Sequence, residues 1–571
     1  MPEQQTKPWR RYYNDQALVL DRIDTPPEAS IEELIAETLK SAGDAPYLTT
    51  CLPNGAAATL TFREVAAISA AVARYLREGL DLRPGDVVAI QAPNCAAYGV
   101  AMIGVLRAGL TLSNINPLYT PTETRRQLED CSAKALIFID LFGGQIDEAT
   151  SGMDHLHRIK ITLVDFFPPL KKFILGAALK YLRKLVPAID AKHTVLTSSI
   201  KPYQPDSGQP LHYEKERTPK TPSFLQYSGG TTGRSKGVEL TFAGLMHNIE
   251  QVGAMAPELL ERKQRTTVLV LPLYHMFGFF LAMTGLRHAG HLVLIPTPRP
   301  LSNLKTAFEQ YQPDVFPGVN TLFAQLLKEE WYQKNPPQIE LTVTGATVLN
   351  SAVAKYWVKA TGSKILESYG MTEATTVLTS NPPGPGMRPD SVGLPVPGTD
   401  IRILSDNGEW AKTGEPGEIV AKGPQVMQGY FNAPDLNANA FHEGWLKTGD
   451  VGFLDADGYL HLVDRKKDMI LVSGFNVYPN EIEDVLTQHH GVLEAGVVGL
   501  PNVESSEDVV AFIVKKDPGL TEEQLRTHCE TVLTNYKRPK VIRFIDELPK
   551  SPVGKVLRRE LREQYKTGDG A

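Results

Sequence analysis

The chain has 571 residues, of which 42% are hydrophobic and 22% are charged, so its composition is that of a globular protein. Its formal net charge of −6 gives no general attraction to nucleic acid, which we do not expect as a partner. The 4 cysteines form no CxxC pair, and the N-terminal residues lack the apolar core of a signal peptide. No stretch reaches the ~18–20 apolar residues of a membrane-spanning helix. These features predict a cytoplasmic protein of several domain-sized units.

Helical and strand patterns alternate over the first two thirds of the chain. Thr61 with Glu64, and Thr120 with Glu123, form capping-box patterns that each predict the start of a helix. Short apolar runs predict buried strands at 86–92, 134–140, 267–272, 291–296 and 364–370. Buried strands that alternate with helices indicate an α/β fold with largely parallel sheets.

The pattern of residue types changes after about Val392. Short segments broken by glycine and proline continue to Tyr459, which predicts a small β-rich subdomain with a hairpin turn at 455–458. A charged stretch at 464–468 follows. The last unit contains a helix from about Asn480, a strand near 509–514 and a helix that opens at Thr521.

Residues 168–188 combine basic and apolar side chains and contain no acidic residue. A helix of this composition suits an anionic membrane surface. The alternative is a surface helix packed on its own domain. The basic residues are Lys171, Lys172, Lys180, Arg183 and Lys184, and the apolar ones include Phe173, Ile174, Leu175, Leu182, Leu185 and Val186.

A loop rich in glycine and hydroxyl residues lies at 227–237. Its glycines allow backbone N–H groups to surround an anion, and Lys236 adds a positive charge. A Walker A loop has Ser or Thr after its lysine, whereas here Ser235 precedes Lys236 and Gly237 follows it. The loop therefore predicts a phosphate site unlike that of P-loop NTPases. The candidate residues are Tyr227, Ser228, Gly229, Gly230, Thr231, Thr232, Gly233 and Lys236.

This loop resembles the phosphate-binding loop of adenylate-forming enzymes, the superfamily of acyl-CoA ligases, luciferases and peptide-synthetase adenylation domains. Further motifs match in the family's order at 369–373 (YGMTE), 448–450 (TGD), 464–468 (DRKKD) and 549–555 (PKSPVGK). The resemblance implies an α/β fold with a large multi-layer N-terminal domain over 1–463, which contains the β-rich subdomain. It also implies a hinge at 464–468 and a small mobile α+β C-terminal domain over 469–571.

The resemblance also implies a two-step reaction. ATP with Mg²⁺ converts an acid to an acyl-adenylate, and CoA then takes the acyl group and releases AMP. The first step brings two anions together, which requires positive charge where negative charge gathers. Lys555 is implied as the mobile catalytic lysine, Glu373 as the Mg²⁺ ligand and Thr372 as a phosphate contact. Lys467 corresponds to the hinge about which the C-terminal domain rotates between the steps.

Other positions are assigned by the same resemblance. Tyr369 should stack on adenine, and Asp450 should accept hydrogen bonds from the ribose with help from Arg465. Gly474 and Phe475 should line the pantetheine tunnel, and Lys537 should meet the phosphates of CoA. The remaining implied nucleotide residues are Gly345, Ala346, Thr347 and Gly370.

His275 matches a position at the carboxylate end of the acyl pocket, although its apolar surroundings also suit a core histidine. Segment 444–479 closely resembles bacterial long-chain fatty acid–CoA ligases, which favours a fatty acid as the substrate. Medium-chain acids, aryl acids such as 4-coumarate, and a luciferase-like reaction are the alternatives within the superfamily. A carrier-protein-loading domain and a non-catalytic, membrane-associated acyl-binding protein are the other readings, and the latter is disfavoured because Lys555, Glu373 and Asp450 are all retained. Association with the inner face of the membrane and a homodimer are both compatible with the sequence.

Overall fold

The computed structural model describes residues 7–25, 28–204, 211–217, 221–228, 235–257, 264–347, 349–383, 386–472, 475–502, 506–551 and 554–567. Within these ranges the helices are α1 Asp15–Leu20, α2 Ile31–Ala42, α3 Phe62–Arg74, α4 Ala96–Arg107, α5 Pro121–Asp130, α6 Gly143–Ala149, α7 Pro169–Ala177, α8 Leu196–Ser199, α9 Phe242–Met255, α10 Met276–Arg287, α11 Ser302–Tyr311, α12 Asn320–Leu326, α13 Glu330–Lys334, α14 Ser351–Thr361, α15 Pro434–Ala440, α16 Pro479–Gln488, α17 Glu522–Val532 and α18 Arg558–Thr567. The strands are β1 Pro46–Cys51, β2 Ala57–Thr61, β3 Val87–Gln91, β4 Thr111–Ile115, β5 Ala135–Ile139, β6 His157–Ile161, β7 Thr194–Val195, β8 Phe224–Ser228, β9 Lys236–Leu240, β10 Thr266–Leu269, β11 His291–Leu294, β12 Val315–Gly318, β13 Leu341–Thr344, β14 Lys364–Tyr369, β15 Thr379–Asn381, β16 Leu394–Pro395, β17 Asp400–Leu404, β18 Gly417–Lys422, β19 Gly429–Tyr430, β20 Phe441–His442, β21 Trp445–Leu454, β22 Leu460–Arg465, β23 Ile470–Val472, β24 Phe475–Val477, β25 Val492–Asn502, β26 Ser506–Lys515 and β27 Val541–Ile545.

Two large sheets form the main body, and both are mostly parallel. The described strands of one follow the order β16-β15-β14-β13-β12-β10-β11-β1-β2, and those of the other follow β19-β9-β8-β4-β3-β5-β6-β7. The apolar runs predicted as buried strands are all strands, and β3 and β5 are buried at every position. Antiparallel pairs occur only towards the edges of these sheets among the described strands. The predicted α/β architecture with parallel-rich sheets is confirmed.

Helix α4 lies between the two large sheets. It contacts β1 of the first sheet and both β3 and β4 of the second, and all of its residues are buried. A helix enclosed in this way is apolar all round, which explains its continuous hydrophobic sequence. Its single charge, Arg107, is neutralised by buried Glu32, whose carboxylate lies 2.6 Å from the arginine Nε.

The predicted helix starts are also confirmed. Thr61, Thr120 and Thr521 each accept a hydrogen bond from the backbone N–H three residues later, and the residue there bonds back to the threonine backbone. These reciprocal bonds satisfy N–H groups that a helix leaves free at its first turn.

The β-rich subdomain is an antiparallel sheet of β17, β18, β20, β21 and β22, with the predicted hairpin turn between β21 and β22. The chain then turns at Lys466–Met469 into the C-terminal sheet, in which β25 and β26 form a long hairpin and β27 lies parallel to β26. Helices α16 and α18 pack on β25. This unit has a hydrophobic core of its own, which includes Ile470, Val497, Ile513 and Leu525. None of the helices in the described ranges has the length and apolar character needed to cross a bilayer.

Candidate active site

A cleft of about 2400 Å³ lies between the main body, the β-rich subdomain and the C-terminal unit. It opens at the carboxyl ends of β12, β13 and β14, where open α/β sheets commonly bind ligands. Many of the residues singled out from the sequence line it: Ala346, Thr347, Tyr369, Gly370, Asp450, Arg465 and Lys555. The tertiary structure therefore brings together side chains from three separate parts of the chain.

Asp450 is held by two neighbours at the wall of the cleft. The phenol of Tyr369 donates a hydrogen bond of 2.8 Å to one carboxylate oxygen, and Arg465 Nε lies 2.9 Å from the other. Arg465 is the partner of Asp450 in the β21–β22 register, so the hairpin itself sets their ion pair. Burial, and next the negative charge of Asp450, hold the pKa of Tyr369 well above its usual range. Each carboxylate oxygen can accept a further hydrogen bond.

Gly345, Ala346, Thr347 and Gly370 lie on the loops that follow β13 and β14. A Cβ atom at Gly370 would overlap the carbonyl group of Thr376, so this position requires glycine. A Cβ atom at Gly345 would lie 3.7 Å from Cε1 of Phe277, so the Phe277 ring lies beside this loop. The hydroxyl of Thr347 is buried, and no described residue bonds to it. That hydroxyl can therefore bond to a ligand in the cleft.

Glu373 lies in the short turn Thr372–Ala374 that follows β14, and Thr372 opens the turn. Its buried carboxylate accepts hydrogen bonds from Ser228 Oγ at 3.1 Å and from Tyr430 Oη at 3.0 Å. Burial and the nearby charge of Glu373 raise the pKa of Tyr430 above its ordinary value. Lys236 Nζ lies 5.1 Å from the centre of the Tyr430 ring. Ser228 and Lys236 are partners in the β8–β9 register, so the Glu373 carboxylate lies where the glycine-rich segment leaves β8.

These residues fit the requirements of a magnesium ion. Mg²⁺ is usually held by one or two carboxylates together with substrate phosphates, rather than by a complete set of protein ligands. In the part of the chain that the structure describes, no cluster of three His, Cys, Asp or Glu side chains could hold a metal by itself. Glu373 offers a single buried carboxylate beside Ser228 at the end of β8.

Lys555 reaches the cleft from the C-terminal unit. Its loop is closed by hydrogen bonds from Ser551 N to Lys555 O and from Gly554 N to Ser551 O, both of 2.8 Å. Gly554 has φ +78, and a Cβ atom there would lie 2.8 Å from Thr321 Oγ1, so the loop tip touches the first turn of α12. Burial, with the positive charge of Arg465 as the next cause, lowers the pKa of Lys555 to about 7.

His275 caps α10, and its Nδ1 accepts a hydrogen bond of 3.3 Å from the backbone of Phe277. Burial lowers its pKa to about 4, so the ring is neutral at physiological pH. The adjacent Tyr274 lines the cleft, and its carbonyl accepts a 2.7 Å hydrogen bond from Gln226. His275 therefore lies next to the cleft, and its Nδ1 is already occupied by the hydrogen bond that caps α10.

Other predicted residues lie elsewhere or outside the described ranges. Gly229, Gly230, Thr231, Thr232, Gly233 and Gly474 fall outside the described residues. Tyr227 at the end of β8 donates its phenol proton to Asp130. Phe475 begins β24, and Lys467 lies in the turn before β23. Lys537 pairs with both carboxylate oxygens of Glu481, at 2.7 and 2.8 Å, so a CoA phosphate would have to displace that partner.

Sequence reasoning missed two residues of this site. Tyr430 binds Glu373 from 57 positions away, and no sequence motif marks it. Phe277 follows His275 in an apolar stretch, and nothing in that stretch marks it as a site residue. Its ring lies beside the Gly345 loop only in the folded chain, because 68 positions separate Phe277 from Gly345.

Two family models match this chain. Residues 35–431 match the AMP-binding enzyme family, and residues 481–555 match the AMP-binding enzyme C-terminal domain. A long-chain-fatty-acid–CoA ligase of Escherichia coli O6:H1 is 42% identical over 508 residues, covering 88% of this chain and 90% of its own length. One from Haemophilus influenzae is 38% identical and covers 95% and 96%.

Solved structures show the same fold. The anthranilate CoA ligase AuaEII in complex with anthranoyl-AMP superimposes with a TM-score of 0.82 at 27% identity, over 95% of this chain and 98% of that one. ATP-bound MatB from Rhodopseudomonas palustris gives a TM-score of 0.75 at 27% identity, over 94% and 99%. The expected fold and the resemblance on which it was based are confirmed.

Proposed function

The chain belongs to the AMP-binding enzyme family, and on that premise we propose that it is a long-chain-fatty-acid–CoA ligase that uses this cleft to form an acyl-adenylate. Curated relatives with that name, at 38–42% identity over most of the chain, support the substrate class. The observation that carries the mechanism is the meeting of Lys555, Asp450 and Arg465 in one cleft. ATP and CoA are the co-substrates of such a ligase.

In the first step, an oxygen of the fatty acid carboxylate attacks the α-phosphorus of ATP, and the bond to pyrophosphate breaks. Asp450 and Arg465 hold the ribose, and Tyr369, Gly370 and the Gly345–Thr347 loop flank the adenine. Lys555 lies between the two anions and offsets the charge that gathers on the pentacoordinate phosphorus. Lys236, Ser228, Thr372 and the glycine-rich loop bind the phosphates.

Glu373 would hold Mg²⁺ together with the ATP phosphates, and the ion would supply further positive charge there. Its bonds from Ser228 and Tyr430 keep the carboxylate oriented towards the phosphate loop. His275 is neutral and anchored to the backbone of Phe277, so it serves as a wall of the acyl pocket near the reacting carboxylate and does not exchange a proton.

In the second step, the CoA sulfur attacks the carbonyl carbon of the acyl-adenylate, a thioester forms, and AMP leaves. Lys555 occupies the cleft in this structure, so its loop has to withdraw before another face of the C-terminal unit can approach. The loop withdraws by a rotation at Lys467. Lys467 lies within a hinge at 464–468, which divides an N-terminal domain (1–463) from a C-terminal domain (469–571). Gly474 and Phe475 then line the pantetheine channel, and Lys537 exchanges Glu481 for a phosphate of CoA.

The segment at 168–188 docks the enzyme on the anionic inner face of the cytoplasmic membrane. Leu175 of helix α7 and Leu179 of the π-helical segment Ala178–Leu182 point towards the main body, where they pack against Val164 and Phe167. Six large apolar side chains of the segment are exposed among basic ones, at Leu170, Phe173, Ile174, Tyr181, Leu182 and Leu185. Exposed apolar groups ringed by positive charge match a bilayer that carries anionic headgroups.

The test of this function is the release of pyrophosphate and AMP from ATP-Mg²⁺ with acetate, octanoate, palmitate, oleate and 4-coumarate, each with and without CoA. Rapid, CoA-dependent turnover on palmitate or oleate is the expected result. Turnover confined to octanoate or 4-coumarate would show that the substrate is a medium-chain or an aryl acid instead. Pyrophosphate release that CoA does not stimulate would show that CoA is not the acyl acceptor. Inactivity on every acid would overturn the proposal. Light scattering on the same sample distinguishes a monomer from a homodimer.

A further inference from the structure

Arg558 lies at the base of the loop that carries Lys555. Helix α18 begins at Arg558, three residues after Lys555, and a bridge between Lys550 and Val556 closes the loop just before it. Leu557 N donates a 2.8 Å hydrogen bond to Pro549 O. The position of the Arg558 backbone is therefore coupled to that of Lys555 through a short, closed loop.

The guanidinium of Arg558 is enclosed by acidic side chains. Its Nη2 lies 2.9 Å from a carboxylate oxygen of Glu483 and donates to Asn480 Oδ1 at 2.5 Å. Its Nη1 lies 3.3 Å from Asp464 Oδ1 and 3.5 Å from Asp468 Oδ2. The Arg558 side chain is only 11% exposed, and that of Asp464 is fully buried. An ion pair so deeply enclosed is costly to break on one side only, because the remaining charge stays buried.

These partners lie on opposite sides of the turn that contains Lys467. Asp464 belongs to β22 and pairs with Val451 in the β-rich subdomain. Glu483 and Asn480 belong to α16 of the C-terminal unit. A rotation at Lys467 carries Glu483 along with Arg558 but moves both away from Asp464. The Arg558–Asp464 contact is therefore specific to the arrangement in which Lys555 occupies the cleft.

We propose that Arg558 is a positioning residue, which holds Lys555 in the cleft during adenylation through its contact with Asp464 and releases Asp464 when the C-terminal unit rotates. The inference rests on the proposed two-step function and on the hinge at Lys467. Burial raises the pKa of the Asp464 carboxyl, and the charge of Arg558 is the first of the causes that oppose this rise, ahead of hydrogen bonds from the backbone of Asn480 and Arg465.

The test compares the two half-reactions in Arg558→Met, Asp464→Asn and Arg558→Lys. Adenylation is measured as pyrophosphate release in a single turnover with palmitate and ATP. Thioester formation is measured from synthetic palmitoyl-adenylate and CoA. Arg559→Met is the matched control, because Arg559 is the next residue of the same helix, is exposed and pairs only locally with Glu563 among the described residues.

Arg558→Met and Asp464→Asn are expected to slow adenylation about tenfold or more, while thioester formation stays within about twofold of the wild type. The double variant should be no slower than the slower single one, because each change removes the same contact. Arg558→Lys should restore part of the adenylation rate, and Arg559→Met should change neither step.

Equal losses in both half-reactions would reduce Arg558 to a structural residue and overturn the inference, as would unchanged adenylation in Asp464→Asn. Should Arg558→Met fail to fold, Asp464→Asn still decides, since it keeps the shape of the side chain. A wild-type enzyme that forms no adenylate would instead refute the proposed function. Equal slowing of both steps by Lys467→Pro would refute the hinge.

Discussion

Tyr369 donates a 2.8 Å hydrogen bond from its phenol to the carboxylate of Asp450, although 81 positions separate the two residues. Tyr369 ends β14 of a large parallel sheet, whereas Asp450 lies on β21 of the β-rich subdomain. The bond therefore joins two units of the fold at the point where they flank the cleft. It fixes the orientation of the carboxylate, and preorganisation of this kind lowers the entropic cost of binding a ligand.

Replacing Asp450 with alanine should abolish recognition of the ribose hydroxyls. A lost hydrogen bond to a charged group is worth about 1.5–3 kcal/mol, so kcat/KM for ATP should fall by roughly tenfold to a hundredfold. The wild type should prefer ATP to 2′-deoxy-ATP or 3′-deoxy-ATP, and Asp450→Ala should lose that preference. Steady-state adenylation with the three nucleotides measures this, and Asp435→Ala, at an exposed acid on α15, is the control. An Asp450→Ala variant that retains the preference would contradict the assignment.

Lys555→Met should slow adenylation by about 10²–10³-fold, because the side chain supplies charge where the transition state gains it. The thioester step from supplied palmitoyl-adenylate should be nearly unchanged, since the lysine has then left the cleft. Single-turnover assays of the two steps make the comparison. Lys540→Met serves as the control, because Lys540 is an exposed lysine of the same unit that pairs with Asp508. Similar losses in both steps would argue against a role confined to adenylation.

The pH dependence of adenylation should report the titration of Lys555, whose pKa is lowered to about 7. The protonated form carries the useful charge, so kcat/KM for ATP should be maximal below pH 7 and fall as the pH rises through about 7. Bound ATP adds negative charge and raises the lysine pKa, so the corresponding decline in kcat should occur at higher pH.

Lys555→Arg provides the control for this profile. Arginine stays charged throughout the range, so the decline near pH 7 should disappear from the residual activity of this variant. A decline that persists in Lys555→Arg would assign the titration to another group. His275 is already neutral above about pH 4, so it should contribute nothing between pH 5 and 9.

Glu373→Gln should raise the Mg²⁺ concentration needed for half-maximal adenylation by about tenfold or more, because a neutral amide is a poorer ligand for a hard cation. Tyr430→Phe keeps the carboxylate and removes only one hydrogen bond to it, so its Mg²⁺ requirement should change much less. Titrating Mg²⁺ at fixed ATP compares the two variants. An unchanged requirement in Glu373→Gln would exclude Glu373 as the ligand.

Reversing the five basic charges at 168–188 to glutamate should abolish binding to vesicles that contain phosphatidylglycerol. Each basic residue contributes about 1 kcal/mol near an anionic surface, so the partition coefficient should fall by more than about a hundredfold. Co-sedimentation measures the bound fraction. The control reverses five exposed lysines elsewhere, Lys305, Lys334, Lys355, Lys412 and Lys422.

The control variant should keep the wild-type adenylation rate with soluble octanoate. Circular dichroism is needed to show that the 168–188 variant is folded, because Lys172 pairs with buried Asp165 and Arg183 lines the cleft. Equal binding by the 168–188 variant and the wild type would remove the membrane surface from the proposal. Loss of binding in the control variant as well would show that vesicle binding depends on the net charge of the protein and not on the segment at 168–188.

The family, the order of secondary structure and the helix starts could be predicted from the sequence, because these depend on local patterns. Thr61 caps its helix through residues three positions away, and the apolar run that became β5 needs only its own side chains to indicate burial. The motifs of the cleft were recognisable for the same reason, since each is a short, contiguous segment such as Tyr369–Glu373.

Contacts between residues that are distant in the sequence could not be predicted in this way. Three such relationships are the hydrogen bond of Tyr430 to Glu373, the ion pair of Asp464 with Arg558 and the electrostatic interaction of Lys555 with Asp450. They depend on how separate sheets pack and on the angle at the turn before β23. The lowered pKa of Lys555 has the same origin, because burial and neighbouring charge exist only after the units have assembled. Long-range contacts of this kind arise from the summed packing of many side chains, so no local pattern in the sequence records them.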